Sequence, residues 1–290
     1  MRANLRRGVA ACAIAAAAGA ATCAGSAAAA SSGSAASGGA SAKAIKTGLE
    51  TSVSPGRFFS PSRHGVTLSY RVHALTGPVS LTIRLVRRSG NVTVNAWHRK
   101  VHDGDWHTAH WNGLRHGKMQ PDGSYAFRVT AEGSDGTVIR ASGSSGHNRF
   151  TMHNFAFPVH GSHSFGDGFG APRSGHTHQG VDIMAGCGTP IVAARGGIVK
   201  HSAWQSAAGN YLVVSAEGTG EDFVYMHLPR RSHHQEGDHV YTGQQIGVVG
   251  QSGDATACHL HFEMWSAPGW YSGGSPFDPL PSLKRWDRYS

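Results

Sequence analysis

Past its first few dozen residues, the 290-residue sequence has no run apolar and long enough to cross a bilayer, and no stretch with a sustained helical period. That leaves neither a stable membrane anchor nor a helical bundle as a reading. Charge is scarce at 15% of residues, and it is unbalanced toward a formal +9. The imbalance favours anionic surfaces such as a cell wall, but no RNA- or DNA-reading motif accompanies it, so no nucleic-acid partner is expected. Cysteine is rare, with four in all. What abounds is glycine, 40 residues, a composition that suits short strands and many turns.

The N-terminus reads as a secretory signal peptide over residues 1–30. A basic segment with Arg2, Arg6 and Arg7 precedes small apolar residues, and the alanine run 27–30 offers cleavage sites. A lipoprotein reading through Cys23 is the alternative, though Ala20, Ala21 and Thr22 match its lipidation box poorly. Removing the three arginines lowers the formal charge from +9 to about +6 (9 − 3), still basic. Removing the leader also takes away Cys12 and Cys23. Cys187 and Cys258 then remain in an oxidising compartment, where one disulfide is the simplest outcome. The protein is expected to be extracellular, with a charge bias that suits an anionic surface such as a cell wall. Its oligomeric state cannot be read from the sequence.

Residues 31–45 are a Ser/Ala/Gly-rich flexible linker by composition. Residues 46–141 then alternate with period two at 66–72, 79–85 and 125–131, with turn signals between, which predicts an antiparallel β-sandwich. Within it, Trp111-Asn-Gly followed by Pro121-Asp-Gly-Ser-Tyr125 resembles the Ig-like modules of the flagellar hook-capping protein. Core packing is the reading preferred for Trp111 and Tyr125 over ligand stacking. A second linker is placed at 142–150. Residues 151–290 hold short β runs separated by glycines, and they predict a compact, mostly antiparallel β domain. The fold class is therefore all-β, in two domains.

Twenty histidines make any single one uninformative, so spacing has to sort them. His178 and Asp182 lie on one face of either a helix or a strand, but Gly180, Val181 and Ile183 disfavour the helix. Full extension would hold their Cα atoms roughly 13 Å apart, too far for shared coordination, so the chain must bend, and Gly180 permits it. His259 and His261 alternate with Leu260 and Phe262, which aims both imidazoles to one side of a strand. Glu263 shares that side and could orient a ligand.

Phe169-Gly-Ala-Pro-Arg173, His178-Gln-Gly-Val-Asp182, Tyr225-Met-His227-Leu and His259-Leu-His261-Phe-Glu, in this order, resemble the lysostaphin/LytM-type zinc peptidoglycan endopeptidases. The resemblance spans about 165–265. It implies one Zn²⁺ held by His178, Asp182 and His261, a catalytic pair in His227 and His259, and peptidoglycan peptides as the substrate. Three N/O protein ligands suit a catalytic rather than a structural zinc. His176-Thr-His178 is itself an H-x-H, so spacing alone would allow His176 as a ligand; the family pattern selects His178. Some members carry a tyrosine just before the first ligand, where this sequence has Pro172, Ser174 and Thr177. His160, His163, His201, His233, His234 and His239 are expected to be solvated loop residues. The alternative function is a non-catalytic relative that binds wall or activates an amidase; such relatives typically lack a metal ligand, whereas every expected position is filled here.

Overall fold

The computed structural model describes residues 48–290 except 74, 76 and 142–145. The expected signal peptide (1–30) and first linker (31–45) lie outside the described residues, as do positions 142–145 of the second linker. The described chain is nearly all β, as expected. Its α-helix among these residues is Leu280–Asp287.

Two sheets enclose the first core. One has three strands in the order Gly48–Ser54, Val66–His73, His107–Trp111. The other runs Arg57–Phe59, Arg149–His153, Gly123–Glu132, Val79–Arg87, Val92–Val101, with Val138–Ala141 also on Gly123–Glu132. The period-two pattern is realised directly: Val66, Leu68, Tyr70 and Val72 face inward against Leu81, Ile83, Phe127 and Val129. Trp111 and Tyr125 are buried in this core with ring centroids 5.0 Å apart. Their polar ends are satisfied locally, the indole N–H by Leu114 O and the phenol by Pro121 O. Both aromatics are thus packing residues.

Arg149–His153 straddles the expected boundary between 150 and 151. It pairs antiparallel with Gly123–Glu132 and parallel with Arg57–Phe59, burying Phe150 and Met152 in the first core. Only from Phe155 and Phe157 onward do side chains enter the second core. The alternation at 149–153 follows the strand neighbours available, which a Gly/Ser-rich stretch just upstream does not reveal.

The second core lies under an eight-stranded sheet. Its path is His163–Phe165, Val181–Ala185, His259–Trp265, Asp222–Leu228, Gly209–Ala216, Gly197–Gln205, His239–Val240, with Pro276–Phe277 paired to His259–Trp265. Every pairing is antiparallel. One face of this sheet buries Val181, Ile183, Phe223, Tyr225, Leu260, Phe262 and Met264. Leu283 and Trp286 of the helix close that core, Trp286 stacking on Phe155 at 4.9 Å. Burying a side chain the size of Leu260 or Phe262 stabilises by about 1.5–3 kcal/mol, so a one-residue slip is heavily penalised. The opposite face therefore receives His259, His261, Glu263, Asp182 and Met184 by default.

Cys187 and Cys258 are joined, with Cα atoms 5.3 Å apart and a sequence separation of 71. The bond ties the loop after Val181–Ala185 to the start of His259–Trp265. On a chain-entropy model, replacing both cysteines by serine should lower the unfolding free energy by about 4 kcal/mol. Urea denaturation of the oxidised wild type and the double variant measures this, and coincident midpoints would contradict it.

Candidate metal centre

Strand register builds the site. Asp182 stands directly opposite His261, and Met184 opposite His259, so these two adjacent strands deliver one carboxylate and two imidazoles to one face. His178 lies just before the first of these strands and folds back over it. Its ring nitrogen Nε2 is 3.0 Å from Asp182 Oδ1 and 2.8 Å from His261 Nδ1. Asp182 Oδ1 and His261 Nδ1 are also 3.0 Å apart. Of the described residues, His178, Asp182 and His261 form a group able to hold a metal ion.

The second nitrogen of each ligand histidine is already engaged. His178 Nδ1 is 2.8 Å from Gly168 O, and His261 Nε2 is 3.0 Å from Glu263 Oε1. Carbonyl and carboxylate oxygens can only accept, so those nitrogens carry the protons, and the nitrogens facing Asp182 present lone pairs. Three electron-pair donors at 2.8–3.0 Å from one another require a positive charge among them. Without a metal the cluster recruits a proton. Burial pulls the His261 imidazole down, but hydrogen bonds and charge from Asp182 and Glu263 outweigh it and push it up to about 9. Asp182 is likewise desolvated, yet bonds from His178 and His261 hold it well below the usual carboxylate range. Two imidazole nitrogens and one carboxylate oxygen form a donor set that suits zinc. On this chemistry the residues fit the ion.

His227 and His259 stand beside the cluster with ring centroids 4.6 Å apart. His259 Nε2 is 3.6 Å from Asp182 Oδ1, while its Nδ1 donates to Ala257 O at 2.9 Å. His227 Nδ1 donates to Ser252 O at 2.8 Å. Both rings therefore expose Nε2 as the free nitrogen. Burial, reinforced by the neighbouring His259 and His261, lowers His227 to about 4, against a smaller opposing effect of the Ser252 bond. His227 also has a left-handed backbone, φ 66°. Met226 lies opposite His261, so regular alternation would send residue 227 to the core face with Tyr225. The positive φ turns its ring to the site face instead.

Gly180 has a different reason from the expected one. It is not among the positive-φ glycines, and a Cβ there would collide with Phe262 O and lie 2.9 Å from His261 Nε2. Close approach of two backbones, not freedom to bend, requires glycine. His176 sits on the small hairpin Pro172–Arg173/His176–Thr177, exposed and outside the three-residue cluster. Four of the supposed solvated loop histidines depart from that expectation. His163, His201 and His239 lie on strands, His163 stacked on Phe157 at 4.3 Å, and His234 is buried and bonds Gln245 O.

Arg173 had no role assigned from sequence. Its guanidinium bonds Asp182 Oδ2 at 3.0 Å and Asp167 Oδ2 at 3.1 Å, leaving Asp182 Oδ1 to the cluster. Glu263, buried, accepts from His261 and from the Trp265 indole at 2.7 Å. Trp265 was findable, since alternation from Glu263 puts it on the same face. The site opens into a groove of about 680 Å³ lined also by Gln179, Met226, residues 254–257, Trp270 and Tyr271.

Residues 176–279 match the model of peptidase family M23. Lysostaphin of Staphylococcus simulans is 35% identical over 112 residues, 38% of this chain and 22% of that protein. Glycyl-glycine endopeptidase ALE-1 of Staphylococcus capitis is 31% identical over 152 residues, covering 51% and 39%. Peptidoglycan DD-endopeptidase ShyC of Vibrio cholerae is 40% identical over 88 residues, covering 30% and 19%. The chain thus spans less than half the length of the curated relatives it matches. A solved catalytic domain of the S. simulans lysostaphin is 34% identical, with 42% of this chain matched to 92% of that one at a TM-score of 0.38. Residues 176–279, the segment that resembles peptidase family M23, contain all five histidine and aspartate positions of the site.

Proposed function

We propose that the protein is a secreted, zinc-dependent endopeptidase that hydrolyses peptide bonds of bacterial cell-wall peptidoglycan. The observation that carries this reading is the convergence of His178 Nε2, Asp182 Oδ1 and His261 Nδ1 with both imidazole tautomers set by acceptors behind them. Relatives whose names specify peptidoglycan or glycyl-glycine endopeptidases support the substrate class. The Cys187–Cys258 bond suits an oxidising compartment, in keeping with the expected leader over 1–30. The 48–153 sandwich is assigned no chemistry; its Trp111 and Tyr125 packing suits an Ig-like module appended to the peptidase.

His178, Asp182 and His261 would hold one Zn²⁺. When bound, the ion supplies Lewis acidity that polarises the scissile carbonyl and lowers the pKa of water toward ~7. The chain's own groups handle the protons. His227 and His259 have their Nδ1 protons committed to Ser252 O and Ala257 O, so each offers Nε2 to accept the proton that the attacking water sheds. The same nitrogen then returns a proton to the leaving amine. Because His227 is lowered to about 4, it is neutral near pH 7 and does not repel the cation beside it. The Ser252 and Ala257 carbonyls hold the rings in place, which is positioning rather than chemistry.

Ligand and proton-transfer roles separate experimentally. Replacing His178, Asp182 or His261 by Ala should strip zinc and activity together. Replacing His227 or His259 by Ala should keep zinc but slow release of peptide fragments from purified peptidoglycan by ~10²–10⁴-fold. If His259→Ala loses the metal and His261→Ala retains it, the two roles are exchanged. Wild-type protein that binds zinc but leaves wall intact would point to the wall-binding or amidase-activating alternative.

Zinc affinity should also depend on pH in a stated direction. The ion needs His261 Nδ1 unprotonated, and in the metal-free protein that nitrogen holds a proton below about 9. Apparent affinity should therefore rise with pH by about tenfold per unit between roughly 7 and 9, then level off. Competition with a chromogenic chelator at several pH values reads this slope; a flat profile across that window contradicts it.

A further inference from the structure

The groove has one wall that the proton chemistry leaves unexplained. Residues 266–275 fold over the sheet face beside the metal cluster, and they are tied down at several points. Asp222, buried at the start of Asp222–Leu228, accepts from the Trp270 backbone N–H at 2.8 Å and pairs with Lys200 at 2.8 Å. Lys200 also reaches Ser272 Oγ at 3.1 Å, and that hydroxyl donates to Trp270 O. Gly269 is needed here, with φ +108° and no room for a Cβ against the Asp222 carboxylate.

This anchored loop holds two aromatics. Trp270 rests against Tyr211 and His201, with centroids 5.4 and 5.6 Å away. Tyr271 packs between Trp265 at 4.9 Å and Trp270 at 4.8 Å, and its hydroxyl is 3.4 Å from Gln179 Oε1, next to His178. Trp265 in turn donates to Glu263, which holds His261. The wall is thereby coupled to the metal cluster through two hydrogen bonds and one ring contact.

One feature of it does nothing for the fold. Tyr271 is left-handed at φ 44°, a strained conformation for a non-glycine residue, yet it is 68% exposed and returns little burial. Trp270 is only 9% exposed; its ring lines the groove while its indole nitrogen is buried. Strain that the fold does not use gathers where ligands bind.

We propose that Tyr271, Trp270 and Gln179 form a peptide-binding subsite. The extended substrate chain on one side of the scissile bond lies along the Tyr271 ring, and its backbone groups bond the Tyr271 hydroxyl and the Gln179 amide. A primary amide offers both a donor and an acceptor, the pair that a peptide unit presents in return. This deepens the peptidase reading and rests on it.

The test uses the full chain with Tyr271→Ala, Tyr271→Phe and, as an exposed aromatic off this wall, Trp204→Ala. Soluble cross-linked muropeptides released by muramidase are the probe. Tyr271→Ala should raise KM by about tenfold, with kcat within about twofold and zinc content unchanged. Tyr271→Phe keeps the ring, so it guards against loosening of the loop; loss of the hydroxyl alone should raise KM by about threefold. Trp204→Ala should behave as wild type. A Tyr271→Ala KM within twofold of wild type, or a loss confined to kcat, overturns the subsite. If wild type releases no fragments, the peptidase reading fails instead, and the subsite is judged by muropeptide binding followed through tryptophan fluorescence. Weaker binding by Tyr271→Ala then supports it, and equal binding overturns it.

Discussion

Three electron-pair donors held at 2.8–3.0 Å repel one another unless something positive lies among them, and the second half of the chain is organised to keep His178, Asp182 and His261 there. Asp182 and His261 face each other because their strands pair in one register. That register is held from the other side of the sheet, where Val181, Ile183, Leu260 and Phe262 are fully buried. The apolar face thus sets the polar one: slipping either strand by a residue would expose Phe262 and bury a charged cluster. All seven residues of His259–Trp265 are buried, so site and core share one rigid element rather than a loop.

Where regular strand geometry would give the wrong answer, the backbone departs from it. His227 belongs by alternation with Tyr225 on the core face, and only φ 66° brings its ring beside His259. Such a conformation costs on the order of 1–3 kcal/mol for a non-glycine residue and persists when surrounding contacts over-determine it. Those contacts are visible: the His227 N–H bonds Ala208 O, the ring bonds Ser252 O, and a Cβ on Gly250 would strike the Pro229 ring and His227 O. Under the proposed function, this strained, desolvated histidine beside two others is the proton acceptor kept neutral.

This explains how far the sequence could be read. Period two at 66–72 and at 259–265 announces strands and their faces, because alternation is a local property of the backbone. Glu263 behind His261 follows from the same rule, and so does Trp265. The facing of His227 does not, since it depends on one dihedral angle set by residues 208 and 252. Gly180 was legible as a necessary glycine but not for its reason, which is the distant Phe262 carbonyl. Arg149–His153 joins the first core through strands that lie far off in sequence, so local composition misplaced the boundary. Arg173 was missed because an arginine on a two-residue hairpin strand carries no pattern of its own.

Arg173 nevertheless completes the electrostatics. With neutral imidazoles, the carboxylates of Asp182, Glu263 and Asp167 set three negative charges against one guanidinium, a formal balance of −3 + 1 = −2. A divalent cation closes that balance; a single proton on His261 meets only half of it. Asp167 is largely exposed and so counts for less than its formal charge, which brings the effective demand to between −2 and −1 (−2 + 1 = −1 without Asp167). Arg173 then does more than neutralise. By occupying Asp182 Oδ2 it leaves Oδ1 to face His178 and His261, so the carboxylate presents one oxygen to the cluster instead of rotating between two. A single guanidinium nitrogen, Nη2, reaches both aspartates. Charges placed behind His178, Asp182 and His261 thus help set how much positive charge the cluster takes, along with the three residues themselves.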